Sequence, residues 1–263
     1  MKLKSLFTTP AVSKINPILE ATSLSLAPQD IVDQINQFNG PGSASLNKND
    51  LDLIDINKNG LIIHKSWVKN GKLAVRFGKL KGHFFAADCG LTTLEDFPSK
   101  IDGAFIVRDN PGLTSLIGGP SIVQGDYKVN NNGLTSLEGI ARTVGSLART
   151  TALVDISGNN IKSLHEIGRQ IKHLPGVISL DFDNIEDSIL GLMLIEGLKG
   201  FYTYRKAGAI TFIKNEQDLI EGGFPKNAKA FAIIQDHLGK HTADLTDIQD
   251  DFIDANLNKF ARL

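Results

Sequence analysis

Hydrophobic and polar positions recur along this chain as near-copies of one phrase. Gly90-Leu91-Thr92-Thr93-Leu94, Gly112-Leu113-Thr114-Ser115-Leu116 and Gly133-Leu134-Thr135-Ser136-Leu137 share it, and Asn160-Ile161-Lys162-Ser163-Leu164 is a looser fourth. Their second leucines are spaced by 22, 21 and 27 residues, and Leu73 lies 21 before Leu94. A period in the twenties marks a solenoid, whose turns bury their apolar faces only by stacking on one another.

Residues 154–164 fit the leucine-rich-repeat phrase LxLxxNxLxxL, with aliphatic replacements. In that phrase Val154 and Ile156 point inward from a short strand, Asn159 turns the chain, and Ile161 and Leu164 return to the core. The other copies superpose on it. Tyr127, Val129, Asn132, Leu134 and Leu137 form one, and Phe105, Val107, Asn110, Leu113 and Leu116 another. In Phe84, Ala86, Cys89, Leu91 and Leu94, cysteine takes the turn position. Between copies, Pro98-Ser99 and Pro120-Ser121 lead to Gly103 and Gly125, which disfavours helix and predicts an extended or turn-like back side.

Around the repeats the pattern changes. Pro28 to Phe38 reads as a short helix, and Gly40-Pro41-Gly42-Ser43 as a linker. Leu51 to Ile63 reads as a hairpin turning at Asn59-Gly60. After Pro175-Gly176 the period stops. There the pattern predicts strands at Val177–Phe182 and Phe201–Tyr204, and helices at Ile185–Gly197 and from about Asp247 to Leu263. The expected fold class is therefore α/β. It comprises an N-terminal arm and linker (1–50), a short leucine-rich-repeat-like solenoid (51–175) and a C-terminal α/β capping domain (176–263).

Charge is nearly balanced, with 28 basic and 29 acidic side chains, but it is unevenly placed. From Ile56 to Ala87 there is no acid against seven Lys and Arg, whereas from Asp181 onward 14 acids face 9 bases. The single cysteine, Cys89, excludes an internal disulfide and reads as structural. No apolar run approaches the ~18 residues of a membrane span, and the N-terminus lacks a secretory h-region, so a soluble intracellular chain is expected.

The run Gly133-Leu134-Thr135-Ser136-Leu137-Glu138-Gly139, then Val144-Gly145, with Gly125-Asp126-Tyr127-Lys128-Val129-Asn130-Asn131-Asn132 between copies, resembles the leucine-rich-repeat-like proteins of large tailed bacteriophages. The tail resembles theirs too, through Ile189-Leu190-Gly191-Leu192, through Ile195-Glu196-Gly197-Leu198, and through residues 249–263. The resemblance covers about residues 51–263. It implies viral origin and a non-enzymatic role, set in the host cytoplasm or, alternatively, in the virion. Ile18-Leu19-Glu20-Ala21 resembles a phage head-maturation cleavage site, as do Leu194-Ile195-Glu196 and Leu219-Ile220-Glu221.

Little else suggests chemistry. Asp55 to Gly60 copies the first half of a calcium loop, but Ser66 stands where the bidentate carboxylate belongs. His237 and His241 are four apart without a third ligand and read as surface histidines. No cofactor, metal or catalytic residue is expected. The strand register instead predicts outward rows: Phe85, Ile106, Lys128 and Asp155; His83, Ala104, Asp126 and Leu153; Ala87, Arg108, Asn130 and Ser157. Phe85 and Ile106 would make an apolar spot rimmed by Arg108 and Lys128, so the candidate partner-binding residues are Phe85, Ile106, Arg108, Lys128, Asn130 and Asp155. The leading expectation is a protein partner, a host factor, bound on this surface. The first alternative is a virion structural or packaged protein that self-assembles or binds other phage components. The second is nucleic-acid binding through 58–81, with phosphate contacts from Lys72, Arg76 and Lys79 and stacking by Trp67 and Phe85.

Overall fold

A computed structural model describes residues 27–146, 151–165, 167–204, 210–212, 228–240 and 244–262. The cleavage-site motifs at 18–21 and 219–221, and His241, lie outside them.

The chain enters through α1 (Pro28–Asn39), β1 (Ala44–Leu46), β2 (Leu53–Ile56) and β3 (Leu61–Ile62), followed by a small hairpin of β4 (Val68–Lys69) and β5 (Lys72–Leu73). It then repeats in strand pairs. These are β6 (Arg76–Leu80) with β7 (Phe84–Ala87), β8 (Lys100–Ile101) with β9 (Phe105–Arg108), β10 (Ile122–Val123) with β11 (Tyr127–Lys128), and β12 (Thr143–Val144) with β13 (Ala152–Asp155). The short α2 (Ile167–Gln170) precedes β14 (Gly176–Ser179), β15 (Gly200–Tyr204) and β16 (Ile210–Phe212); α3 (Ala228–Lys240) and α4 (Leu245–Asp254) follow.

The result is a β-solenoid of about six turns. One wall is a six-stranded sheet in the order β1-β2-β6-β8-β10-β12, and the other an eight-stranded sheet in the order β16-β15-β14-β13-β11-β9-β7-β3. Successive turns pair in parallel, while β1 and β16 add antiparallel edges. The Pro-Ser…Gly segments are thus extended, as their composition predicts, and β8 and β10 come from them.

Between the walls lies one core. Leu73, Leu94, Leu116, Leu137 and Leu164 are all buried, Leu73 from the small β4–β5 hairpin. Inward-facing rings stack along the coil: Phe84 to Phe105 at 5.6 Å and Phe105 to Tyr127 at 5.1 Å. Each such side chain contributes about 1.5–3 kcal/mol by burial. The cost of this stacking is the Tyr127 hydroxyl, fully buried and without a hydrogen-bond partner among the described residues.

The turn asparagines form a ladder. Asn110 Oδ1 accepts from the N–H groups of Cys89 and Leu91, and Asn132 Oδ1 from that of Asn110. Asn159 Oδ1 accepts from the N–H groups of Asn132 and Leu134. Their Nδ2 groups donate to strand-end carbonyls, Asn132 to Val107 and Val129 and Asn159 to Val129 and Ile156. Each asparagine therefore satisfies backbone that the corner would otherwise leave unpaired. The phrase's hydroxyls repeat as well. Thr93, Ser115, Ser136 and Ser163 each accept from the N–H two residues on.

Four expectations are corrected. Asn59-Gly60 is not a hairpin. Both residues take positive φ, but the turn carries the chain from one wall to the other, and Gly60 passes too close to the His83 backbone to hold a Cβ. The Gly40-to-Ser43 stretch is a tight turn, not a linker: Ser43 is buried, β1 pairs with β2, and Ile31, Val32 and Ile35 of α1 enter the core. The solenoid does not stop at 175, because Val154 pairs with Ile178 and Ile178 with Phe201. The helix expected at 185–197 is only a 3-10 turn at Leu190–Leu194. Its apolar spacing mimics a helix, but Gly191 and Gly197 weaken one, and Ser188 and Gly197 adopt positive φ.

At the far end, α3 places Phe231 at 4.5 Å from Phe182 and 5.7 Å from Phe201. Helix α4 ends at Asp254 rather than running to 263, since Asn256 turns left-handed and a 3-10 turn at Asn258–Phe260 follows. His237 is buried between these helices, its Nε2 2.7 Å from Asp251 Oδ2, and so is not a surface histidine.

Candidate binding face

Alternation along each strand of the eight-stranded sheet sends every second residue away from the core, and the register decides which of these sit side by side. Ile62 pairs with Phe85, Phe85 with Ile106, Ile106 with Lys128, and Lys128 with Asp155. Asp155 pairs with Ser179, and Ser179 with Tyr202. The row from Phe85 to Asp155 is the one the sequence predicts. Ile62 extends it toward the N-terminus. It was missed because a hairpin reading pairs it with the strand before it instead of with β7.

The row changes along its length. Ile62 is 54% exposed, and Phe85, Ile106 and Lys128 are half-buried. Asp155, Ser179 and Tyr202 keep only 6%, 0% and 2% of their surface. The accessible part of this face is thus apolar first and cationic next. Asp155, expected among the contact residues, is withdrawn from solvent.

The accessible residues are fixed by their neighbours. The Arg108 guanidinium lies 5.7 Å from the centre of the Phe85 ring and also pairs with Asp109. Such a cation over a ring is attracted to its face and sets charge beside apolar surface. Lys128 Nζ lies 3.7 Å from Asp126 Oδ2. Asn130 is half-buried on the next row, beside Arg108. Asp155 Oδ1 accepts from the Ser157 N–H at 3.2 Å and hydroxyl at 2.6 Å. Burial pushes the Asp155 carboxyl up, against the opposing pull of these bonds and of the Lys128 charge.

The basic segment sits elsewhere. Lys72 lies on the β4–β5 hairpin, and Arg76 and Lys79 lie on β6 in the opposite wall. Lys72 Nζ is held by Glu95 at 3.1 Å and Asp96 at 2.8 Å, which raise its pKa. Arg76 pairs with Asp50 at 2.8 Å, whereas from Lys79 Asp55 takes only the backbone N–H and not the ammonium. Trp67 is buried, its Nε1–H donating to Gln34, so it cannot stack on a base. The nearby acids come from outside the acid-free stretch, which is why a count along the sequence overstated the free charge. Asp55 also accepts from Asn47 Nδ2 and serves as a structural acceptor.

The chain matches no protein-family model, no curated protein and no solved structure. The face is therefore read from its own chemistry. Among the described residues no three His, Cys, Asp or Glu side chains are grouped to hold a metal ion. No helix of the described residues is long and apolar enough to cross a membrane. Cys89 is buried at its turn, its thiol directed at the carbonyls of Ala87 and Ile63, and burial pushes its pKa up, away from a reactive thiolate.

Proposed function

We propose that this chain is a non-catalytic protein-binding solenoid, reading its partner with the open part of the eight-stranded sheet. One observation carries the reading: Ile62, Phe85 and Ile106 lie in adjacent register on an accessible face, bordered by Arg108 and Lys128. An aromatic ring beside aliphatics, with an arginine over it, is the composition of an interface centre rather than of ordinary surface. On this reading Phe85, Ile106 and Arg108 are the anchors, Lys128 and Asn130 the rim, and α3 with α4 the cap that covers the last core turn. The resemblance to phage repeat proteins supplies the setting, a host protein met in the host cytoplasm during infection. The ion pairs of Lys72 and Arg76 and the burial of Trp67 weigh against nucleic acid.

The test is affinity purification from infected cells with the native chain and a Phe85→Glu, Arg108→Glu variant. The expected outcome is a partner retained by the first and lost by the second. A variant that keeps every partner sinks the reading.

A further inference from the structure

The apolar row does not end in the middle of the sheet; it runs out to the sheet's edge. Strand β3 is the last of the eight, and its neighbour β7 lies on one side only. Leu61 N–H donates to the His83 carbonyl and Ile63 N–H to the Phe85 carbonyl, so residues 61 and 63 spend their backbone on β7. In a parallel pair the residue between them faces the other way. The N–H and C=O of Ile62 are therefore turned outward, away from β7. The Ile62 side chain, 54% exposed, stands on the same face as Phe85 and Ile106.

Native edges are commonly closed by bulges, proline or a covering segment. Here the corner before β3 is held firmly, since Gly60 N–H donates to the Lys81 carbonyl, and Asn39 and Asn59 bridge α1 to that corner. The edge is thus pre-shaped, and among the described residues no strand pairs with its outer side. Exposed lysines stand around it: Lys58 and Lys65 flank β3 along the chain and Lys81 holds its corner through its carbonyl, while the exposed Asp88, which with Lys65 acts on Cys89, adds one acid nearby. These lysines have no ion pair among the described residues, in contrast to Lys72 and Arg76.

We infer that β3 is a docking edge, to which an extended segment of a protein partner adds as a ninth strand. An apolar residue of that segment would pair with Ile62 and continue the Ile62–Phe85–Ile106 row, and acidic residues would flank it to face the lysines. Backbone bonds to Ile62 provide the alignment, and the row and the charges provide the selection. This inference rests on the protein-binding reading above and adds the conformation and chemistry of the bound segment.

The probe is a fluorescein-labelled peptide of sequence DEVTITVDE, titrated with the full chain and followed by anisotropy. Saturable binding that weakens as salt is raised is expected. Ile62→Asp should weaken it about tenfold or more, as should N-methylation of the central amide, the loss expected for an apolar anchor or a backbone bond. Ile122→Asp, at an exposed isoleucine on the other wall, should leave affinity unchanged and controls for folding. Absence of binding overturns the inference, as does equal binding by the N-methylated peptide. A concentration-dependent dimer abolished by Ile62→Asp would also overturn it, by assigning the edge to a second copy. If a cellular partner is lost by the Phe85→Glu, Arg108→Glu variant but kept by Ile62→Asp, strand addition fails while the binding face stands.

Discussion

Two stretches of the same sheet, built on one strand pattern, present different surfaces. Along β3, β7, β9 and β11 the outward row reaches solvent; along β13, β14 and β15 it does not. The open stretch is where the period is most nearly constant, at 21 to 23 residues. In the closed stretch the spacing drifts. Val123 pairs with Val144, 21 residues on, but Tyr127 pairs with Val154, 27 on. The added residues therefore lie along the chain between Val144 and Ala152. A strict repeat spends its residues on core and corners and leaves its outer face bare. On the proposed reading, binding falls to the letters that vary between copies, here Ile62, Phe85, Ile106 and Lys128.

The contrast can be broken most directly by labelling. Cysteine introduced at Ile106 should react with a maleimide as an exposed thiol does. At Ser179 it should react roughly a thousandfold more slowly, since it waits on local opening that costs a few kcal/mol. Buried Cys89 serves as the slow internal reference. Similar rates at the two sites would remove the division.

Next in size is the ladder, dense in the strict turns and thin beyond them. Asn132→Ala leaves the Asn110 N–H and the Val107 and Val129 carbonyls with fewer partners in the interior. The expected loss is about 4 kcal/mol in urea unfolding. Asn184 makes one bond, to the Asn159 carbonyl at 3.2 Å, and its alanine variant should lose about 1 kcal/mol. Equal losses would show that the two stretches are wired alike.

Tyr127→Phe should do the opposite and stabilise the strict stretch by about 1 kcal/mol, because it removes a buried hydroxyl that finds no partner. A destabilised variant would mean that the hydroxyl is satisfied.

The smallest effect is at the border between the two stretches. Burial raises the Asp155 carboxyl above its unfolded value, so its contribution to stability is present below about pH 3.9 and is lost as pH rises through the folded pKa. Asp155→Asn keeps the acceptor for Ser157 and should gain on the native chain between acid and neutral pH. Parallel stability curves for the two would contradict a desolvated carboxylate.

The strict stretch was legible because its signals are local. A leucine pair, a turn asparagine and alternating strand residues recur at one interval, and together they placed Phe85, Ile106, Lys128 and Asp155 in one row. What escaped depends on contacts between distant residues. Nothing near Asn59-Gly60 says that the chain will cross to the other wall, and that crossing is what brings Ile62 beside Phe85. Gly168 and Gly191 show the same difficulty. Their backbones approach so closely that a Cβ on Gly168 would strike the Gly191 carbonyl, which fits stacked turns and not the helix that the leucines around Gly191 suggest. The exposure of Asp155 could not be read either, because burial depends on what lies over a strand as well as on which way its residues point.

The asparagine ladder also has a direction. The N–H groups of Cys89 and Leu91 wait for Asn110, that of Asn110 for Asn132, and those of Asn132 and Leu134 for Asn159. From Cys89 to Asn132, each turn is completed by its successor. As the chain leaves the ribosome, the newest turn is always the unfinished one, and a chain cut between Asn132 and Asn159 ends on a turn whose amides have lost their acceptor. A copy of the unit inserted in the middle, by contrast, arrives with both its own amides and the asparagine that the preceding turn needs. Such a coil can lengthen from within far more easily than it can be shortened from its C-terminal side.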